Sequence, residues 1–343
     1  MPSPSPQDQR LERLANRLAA AAGRQEAIAA IAEAATWFDP GAPADARAMV
    51  DIGHRLIEGR GLAREPEAGR AWLERAASAG DGLAALALGQ RLCEGLGLPP
   101  DPEAGVRWIA RGAAMRFPPA MAAHGDRLLA AGDPAGAAWL EDAAGAGYAP
   151  AMTRLGLRLR DGEGIARDEA AGTRWLERAA EKGHGKAHGV LGAAMLEAAP
   201  EAGARHLWEA LRRGELHYGL VLGMHHYQAG AFDRAAEVFA ACLKMGASSA
   251  AVNVASMKRR GEWPAALEAP EAEALLLPLA EAGHPWAVVN LALLRQAHGA
   301  AGEAERLIAG LGPEAAAEVL PWWEALAAQG DPEGRLVLGW LGG

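Results

Sequence analysis

The chain has 343 residues, of which 50% are hydrophobic and only 5% aromatic, and its formal net charge is −9. An acidic total argues against nonspecific nucleic-acid binding, because such binding depends on neutralising phosphates. Val, Ile and Thr are scarce while Ala and Leu are abundant, so the composition favours helices over strands.

The first 44 residues do not follow the pattern of the rest of the chain. Residues 1–6 alternate Pro and Ser and are predicted to form a disordered tail. Residues 7–44 contain two amphipathic helices, which we interpret as an N-terminal cap. Because this segment lacks the apolar core of a signal peptide, and the chain lacks the ~18 consecutive apolar residues of a membrane span, we expect a cytoplasmic protein with no membrane insertion.

From residue 45 onward the sequence repeats itself. Segments 45–80, 81–116 and 148–183 have equal length and share a central Gly, a Gly-x-Gly turn and a Trp. More divergent copies are assigned to residues 117–147, 184–214, 215–246, 247–283 and 284–330, the last with an insertion around residues 302–312. Residues 331–343 are assigned to the first half of a further copy. A period of this length indicates a solenoid.

This pattern resembles the Sel-one-like repeat family, which is related to the tetratricopeptide repeats, and the resemblance covers residues 45–343. It implies an all-α fold, a right-handed α/α superhelical solenoid of about eight helix-pair repeats plus a terminal half repeat. It also implies a protein-binding scaffold.

Each repeat divides into two helices, called helix A and helix B here. Gly53 and Gly156 lie in the middle of helix A, where Gly costs ~1 kcal/mol relative to Ala. We infer that helix A closely approaches a neighbouring helix at this position. The closing Gly of each repeat is predicted to cap the C-terminus of helix B, with Arg116 as the exception. The acids predicted to cap the N-terminus of helix B are Glu65, Asp101, Asp133 and Asp168.

No motif in the sequence predicts catalysis or a cofactor. The Gly-x-Gly segments recur in three repeats without a preceding strand, so we interpret them as structural turns and not as phosphate loops. His184 and His188 have the i, i+4 spacing that can bind zinc, but no further ligand signature accompanies them, and no metal site is predicted. No pair of carboxyl groups converges on a predicted pocket, which disfavours general acid–base chemistry.

A partner site is predicted along the concave face, if helices A line it as the resemblance implies. Non-charged side chains recur there at helix-A positions that we expect to be exposed, and an exposed apolar strip marks a partner site. The alternative is that these side chains pack against neighbouring repeats. The residues assigned to partner binding are Leu157, Arg160, Leu196, Met224, Tyr227, Arg259, Trp286 and Leu293.

The predicted function is a non-catalytic scaffold or adaptor that binds another protein or peptide, with no nucleic acid and with the monomer as the favoured state. Some proteins of the family that this chain resembles are immunity proteins, so the first alternative is an inhibitor that holds a toxic effector, for example a lipase, inactive. An enzyme is the second alternative. The sequence alone does not separate a scaffold from an inhibitor.

Overall fold

The computed structural model describes residues 6–20, 24–39, 42–265, 267 and 270–342. These residues form α-helices and one short 3-10 helix, Ala35–Trp37, and they contain no strand. The α-helices are α1 (Pro6–Ala20), α2 (Arg24–Ala34), α3 (Pro43–Glu58), α4 (Pro66–Ser78), α5 (Gly82–Glu94), α6 (Pro102–Ala114), α7 (Pro118–Ala130), α8 (Ala135–Gly145), α9 (Ala149–Asp161), α10 (Glu169–Glu181), α11 (Gly185–Met195), α12 (Pro200–Arg212), α13 (Leu216–Gln228), α14 (Phe232–Lys244), α15 (Ser248–Arg259), α16 (Ala272–Glu281), α17 (Pro285–Ala297), α18 (Ala301–Ala309), α19 (Pro313–Ala328) and α20 (Pro332–Leu341).

Consecutive helices pack in pairs, which confirms the predicted all-α repeat fold. The chain forms two compact units, Met1–Gly183 and His184–Gly343. In the first unit α3 pairs with α4, α5 with α6, α7 with α8 and α9 with α10, and in the second unit the pairs run from α11 with α12 to α19 with α20. Each unit has its own buried apolar side chains, Met49, Ile52 and Leu73 among them in the first and Leu207, Phe239 and Val289 in the second.

A reciprocal contact between two glycines holds each regular pair together. A Cβ added to Gly53 in α3 would lie 3.0 Å from the carbonyl oxygen of Gly69 in α4, and a Cβ on Gly69 would lie 2.6 Å from the carbonyl oxygen of Gly53. Leu73, four residues after Gly69, covers Gly53, and Ile57, four residues after Gly53, covers Gly69. The close approach inferred for helix A is therefore made to helix B of the same pair. The equivalent glycines are Gly89 and Gly105, Gly125 and Gly136, Gly156 and Gly172, and Gly192 and Gly203.

Most helix ends follow the predicted turn chemistry, but Glu65 makes no side-chain cap hydrogen bond to α4, and the N-cap of α8 is Pro134, one residue after Asp133. The carboxylates of Asp101 and Asp168 accept hydrogen bonds from the backbone N–H groups of Ala104 and Ala171, at 2.9 and 2.8 Å. The closing glycines have the left-handed φ that glycine adopts without strain, for example +90° at Gly147. Arg116 takes the same role with φ of +60°, the one non-glycine residue with positive φ in the described part of the chain.

The two ends of the chain differ in detail from the sequence prediction. Helix α1 begins at Pro6, the last residue of the predicted disordered tail, and residues 1–5 lie outside the described residues. The two predicted capping helices are present as α1 and α2. Arg10 of α1 pairs with Asp45 of α3 at 3.0 Å, and Leu14 is fully buried. At the other end, the predicted insertion contains α18, which pairs with α17, while α20 pairs with α19.

No described helix is both long enough and apolar enough to cross a bilayer.

Candidate functional site

Two residues of the predicted partner site, Arg160 and Leu196, lie over glycines of helix B. Arg160 is the residue that covers Gly172, since a Cβ on that glycine would lie 2.8 Å from Cγ of Arg160. Leu196 covers Gly203 in the same way, with its Cα 2.9 Å from the position of a Cβ. Arg160 is half-buried and Leu196 is only 7% exposed. Both residues therefore pack against helix B of their own pair.

Leu293 is also buried. Its exposed fraction is 3%, and it lies in the apolar cluster of Val289, Ala304 and Val319. The exposure expected at Leu196 and Leu293 is thus not found, because Leu196 packs against helix B of its pair and Leu293 lies within an apolar cluster.

Three other predicted residues are half-buried and keep part of their surface accessible. Leu157 lies on α9 in the first unit, whereas Met224 on α13 and Trp286 on α17 lie in the second. The Trp286 ring meets the Trp322 ring edge-on, with 6.5 Å between centroids, and its indole N–H donates to Glu318 at 3.1 Å. The structure places the predicted residues in two separate units.

Tyr227 and Arg259 belong to an ion-pair network within the second unit. Arg259, at the end of α15, pairs with Glu333 near the start of α20, and its side chain is 6% exposed. The neighbouring Arg260 donates to Glu333 at 3.0 Å, to Asp331 at 3.2 Å and to the hydroxyl of Tyr227 at 3.4 Å. Two acidic side chains of the chain itself therefore occupy this part of the predicted partner surface.

A groove outside the residues assigned to partner binding runs between α3 and α5 in the first unit. It has a volume of about 630 Å³, and its apolar wall includes Leu83, Ala87 and Leu96. Leu96 is 52% exposed, the largest value among the exposed large hydrophobic residues of the described chain. The polar lining consists of His54, Glu58, Arg64, Gln90 and Arg91.

Arg91 organises the polar side of this groove. Its Nε donates to Nδ1 of His54 at 3.0 Å, its Nη1 donates to the carbonyl oxygen of Leu96 at 2.9 Å, and its Nη2 pairs with Glu58. Burial and the positive charge of Arg91 lower the pKa of His54, so its imidazole is neutral at pH 7. Hydrogen bonds to Arg91 lower the pKa of the Glu58 carboxyl, which stays ionised.

The same Arg position recurs two repeats further on. Arg158 of α9 donates to the carbonyl oxygen of Glu163 at 3.2 Å and pairs with Asp126 of α7 at 3.5 Å, while Arg154 pairs with Asp126 at 2.7 Å. Arg91 and Arg158 both stand two residues after the helix-A glycine, and so do Arg55 and Arg127. The recurring Arg is visible in the sequence but does not by itself predict the groove, since Arg55 instead pairs with Asp51 of its own helix.

Among the described residues, no three His, Cys, Asp or Glu side chains converge as metal ligands would. His188, considered above together with His184, has its Nδ1 3.0 Å from Nδ1 of His206 on α12. The groove presents the amide of Gln90 together with the apolar side chains of Leu83 and Leu96.

A family model described as the Sel1 repeat matches residues 46–81, 82–116 and 149–184. The chain contains Sel1 repeats. The matched segments include both helices that line the groove. A search of curated proteins found no match to this sequence.

Among solved structures, a Sel1 repeat protein from Oxalobacter formigenes is 22% identical, with a TM-score of 0.61. The match covers 82% of this chain and 85% of that protein. This similarity confirms the Sel1-type helical fold. The protective antigen c5321 from uropathogenic Escherichia coli, described as having an SLR fold, is 18% identical over 93% of this chain and 80% of its own, with a TM-score of 0.43. The immunity protein Pa5087 from Pseudomonas aeruginosa is 18% identical, with a TM-score of 0.36. The match covers 60% of this chain and 76% of that protein. The last two are too distant to inform function.

Proposed function

We propose that this Sel1 repeat chain is a non-catalytic scaffold that binds a partner protein through the accessible parts of its helix-A faces. The groove between α3 and α5 carries the proposal. Its volume of about 630 Å³ fits several residues of an extended peptide, and its lining combines apolar and polar groups in the manner of ligand sites. Sel1 repeat solenoids are typical of protein–protein interaction scaffolds, which agrees with such a groove.

The contacts available in the groove define the kind of peptide that fits. Leu83 and Leu96 offer apolar contact to a side chain of the peptide. The exposed amide of Gln90 can donate and accept, and so it matches a peptide backbone. All three nitrogens of Arg91 already have partners, so Arg91 stiffens the wall instead of binding the peptide. In the other repeats, Leu157, Met224 and Trp286 extend the proposed partner surface on their own units.

Site-specific photo-crosslinking in the native host tests this proposal. A benzophenone amino acid at Gln90 should give a discrete crosslinked species, and Leu83→Glu in the same chain should abolish it because a charge would be desolvated in the groove. The matched control places the crosslinker at Glu177, an exposed residue of α10. A discrete product at Glu177 and none at Gln90 would contradict a groove on the helix-A face.

A further inference from the structure

One face of α3 and one face of α5 form the walls of the α3–α5 groove. On α5, Leu83, Ala87 and Gln90 stand at helical spacing and so share a face, and all three line the groove. On α3, His54 and Ile57 do the same. From Leu83 to Gln90 the helix rises ~10 Å, which is the length of about three residues of extended chain. A segment that runs along α5 would therefore place about three residues in the groove.

Arg64 lies at the end of this groove where Leu96 lies. Its Nε donates to the carbonyl oxygen of Ile57 at 3.3 Å. The same oxygen would lie 3.6 Å from a Cβ on Gly97, the residue that follows Leu96. Arg64 and the turn that carries Leu96 are therefore close together at the C-terminal end of α3, and both line the groove.

The charges around the groove do not balance. Glu58 is the one carboxylate of its described lining, and it already pairs with both Arg91 and Arg60. Arg64 is exposed and has no ion pair among the described residues. Since the imidazole of His54 is neutral, the groove carries an excess of positive charge in a chain whose net charge is −9.

The fourth repeat contains the same arginine with an acid beside it. Arg167 has there the position that Arg64 has in the first repeat, since a Cβ on the glycine that ends helix A would meet the Cβ of either arginine, at 3.4 and 3.2 Å. Arg167 pairs with Glu169 at 3.2 Å. The first repeat has Pro66 at the position of Glu169, so Arg64 lacks this neighbouring carboxylate.

We propose that the α3–α5 groove binds an extended segment of a partner protein that contains a Glu or Asp side chain, with this carboxylate on Arg64 and an apolar side chain of the segment on Leu96. The proposal rests on the groove as the partner site and adds the charge of the partner. A guanidinium group can bind a carboxylate through two parallel hydrogen bonds, and the two Nη atoms of Arg64 have no partner among the described residues. The same excess of positive charge disfavours a basic segment.

Selection from a phage library of random dodecapeptides tests this proposal, with the peptides fused through their C-termini so that no terminal carboxylate is offered. We expect the peptides retained by the whole chain to be enriched in Glu and Asp. The enrichment should be lost on Arg64→Gln and kept on Arg64→Lys, which retains the positive charge. Arg167→Gln is the matched control, since this arginine lies outside the groove lining and already has an acid beside it. It should leave the enrichment unchanged.

One retained peptide, synthesised with a fluorescein label, then gives affinities by fluorescence anisotropy. Arg64→Gln in the protein, or Gln in place of the acid in the peptide, should weaken binding about threefold to tenfold. This range lies between the effect of an exposed ion pair and that of a hydrogen bond to a charged group. The two changes together should weaken binding no more than either one alone, because each removes the same contact.

The outcomes distinguish this proposal from the groove itself. Equal enrichment of acidic peptides on wild type and on Arg64→Gln would overturn the acidic segment, and so would additive effects of the two changes. Retained peptides that lack this enrichment but crosslink to a benzophenone amino acid at Gln90 would overturn the acidic segment and leave the groove as the partner site. A library that yields no peptide crosslinked at Gln90 would overturn both.

Discussion

At the scale of single residues, a few glycines decide how closely the helices approach. Gly156 and Gly172 lie so close that a Cβ on either would meet the carbonyl oxygen of the other at 2.8 and 2.6 Å. These oxygens belong to the backbone, which cannot move aside to make room for a Cβ as the end of a flexible side chain can. The contact therefore requires a residue without a Cβ at both positions.

Gly156→Leu should lower the free energy of unfolding by at least the ~1–3 kcal/mol that is typical of overpacking, and Gly156→Ala should also destabilise, though less. Denaturant unfolding followed by circular dichroism measures both. Gly145→Ala is the control, since a Cβ on this helical glycine would meet nothing within 4 Å. It should be neutral or stabilising by up to ~1 kcal/mol. Wild-type stability of Gly156→Leu would show that the close contact does not form.

Arg116 carries a backbone conformation that the other repeats give to glycine. Arg116→Gly should stabilise the protein by ~1 kcal/mol, because φ of +60° strains a residue with a Cβ. The substitution also removes an ion pair with Asp142, but both side chains are about half exposed or more, so that loss is small. The reverse change at the equivalent position, Gly147→Arg with φ of +90°, should destabilise. A lower melting temperature for Arg116→Gly would contradict this account.

At the scale of helices, the ends of α15 and α20 are joined by buried charges. Glu333 receives hydrogen bonds from both Arg259 and Arg260. Besides its pair with Glu333, Arg259 has two buried nitrogens without partners among the described residues. Glu333 is therefore the main group that balances the charge of the Arg259 guanidinium.

Glu333→Gln should destabilise the protein by ~1–3 kcal/mol, because it leaves the Arg259 charge buried without a counter-charge. Combining it with Arg259→Met should recover part of the loss, which a double-mutant cycle in denaturant will measure. Glu324→Gln on α19 is the exposed control. Additive effects of the two substitutions would show that the ion pair does not contribute.

The first unit should also respond to pH. Burial is the main cause that lowers the pKa of His124 on α7, followed by the charge of Arg127, and burial likewise lowers that of His54 on α3. In the unfolded chain these imidazoles take up protons below pH ~6.5, while in the folded chain they resist protonation. Stability should therefore fall as pH decreases from 7.5 to 5.5.

His124→Phe should reduce this pH dependence, since phenylalanine keeps the edge-on contact with Trp139 and cannot be protonated. Melting temperatures at pH 7.5 and 5.5 are the measurement. An unchanged difference between the two pH values in the variant would exclude His124 as a cause.

Helix pairs, turns and caps could be predicted from the sequence because they depend on residues close together in the chain. The exposure of helix-A residues could not be predicted in this way. Leu196 and Leu293 are buried by residues of other helices, and which residues meet there depends on how the helices pack. The α3–α5 groove was not predicted because it depends on a hydrogen bond from Arg91 of the second repeat to His54 of the first. Arg259 and Glu333 are 74 positions apart in the sequence, so no local sequence pattern predicts their ion pair.

At the scale of the whole chain, the two units differ in how clearly they keep the Sel1 pattern. The matched segments run from residue 46 to residue 184, so they fall almost entirely in the first unit. The second unit keeps the helix pairs while losing most of the sequence signature. Packing of helices is therefore retained where individual motif residues are not.

Because each unit has its own core, residues 1–183 produced alone should fold into a helical protein with cooperative denaturant unfolding. Circular dichroism at 222 nm and the slope of the urea transition are the measurements. A fragment without helical signal, or with a broad non-cooperative transition, would show that the first unit needs the second to fold.

The glycine contact has a consequence for how such repeats change in length during evolution. The paired glycines are 16 positions apart in Gly53 and Gly69 but 11 apart in Gly192 and Gly203, yet the added Cβ would come within 3.0 and 2.8 Å of the opposing oxygen. The same glycine contact is therefore compatible with turns of different length between helices A and B. In its longer form that turn also reaches the preceding repeat, since a Cβ on Gly97 would lie 2.5 Å from Cγ2 of Ile57, so a segment grafted there, by evolution or by design, changes the contact between repeats and leaves the contact within the pair in place.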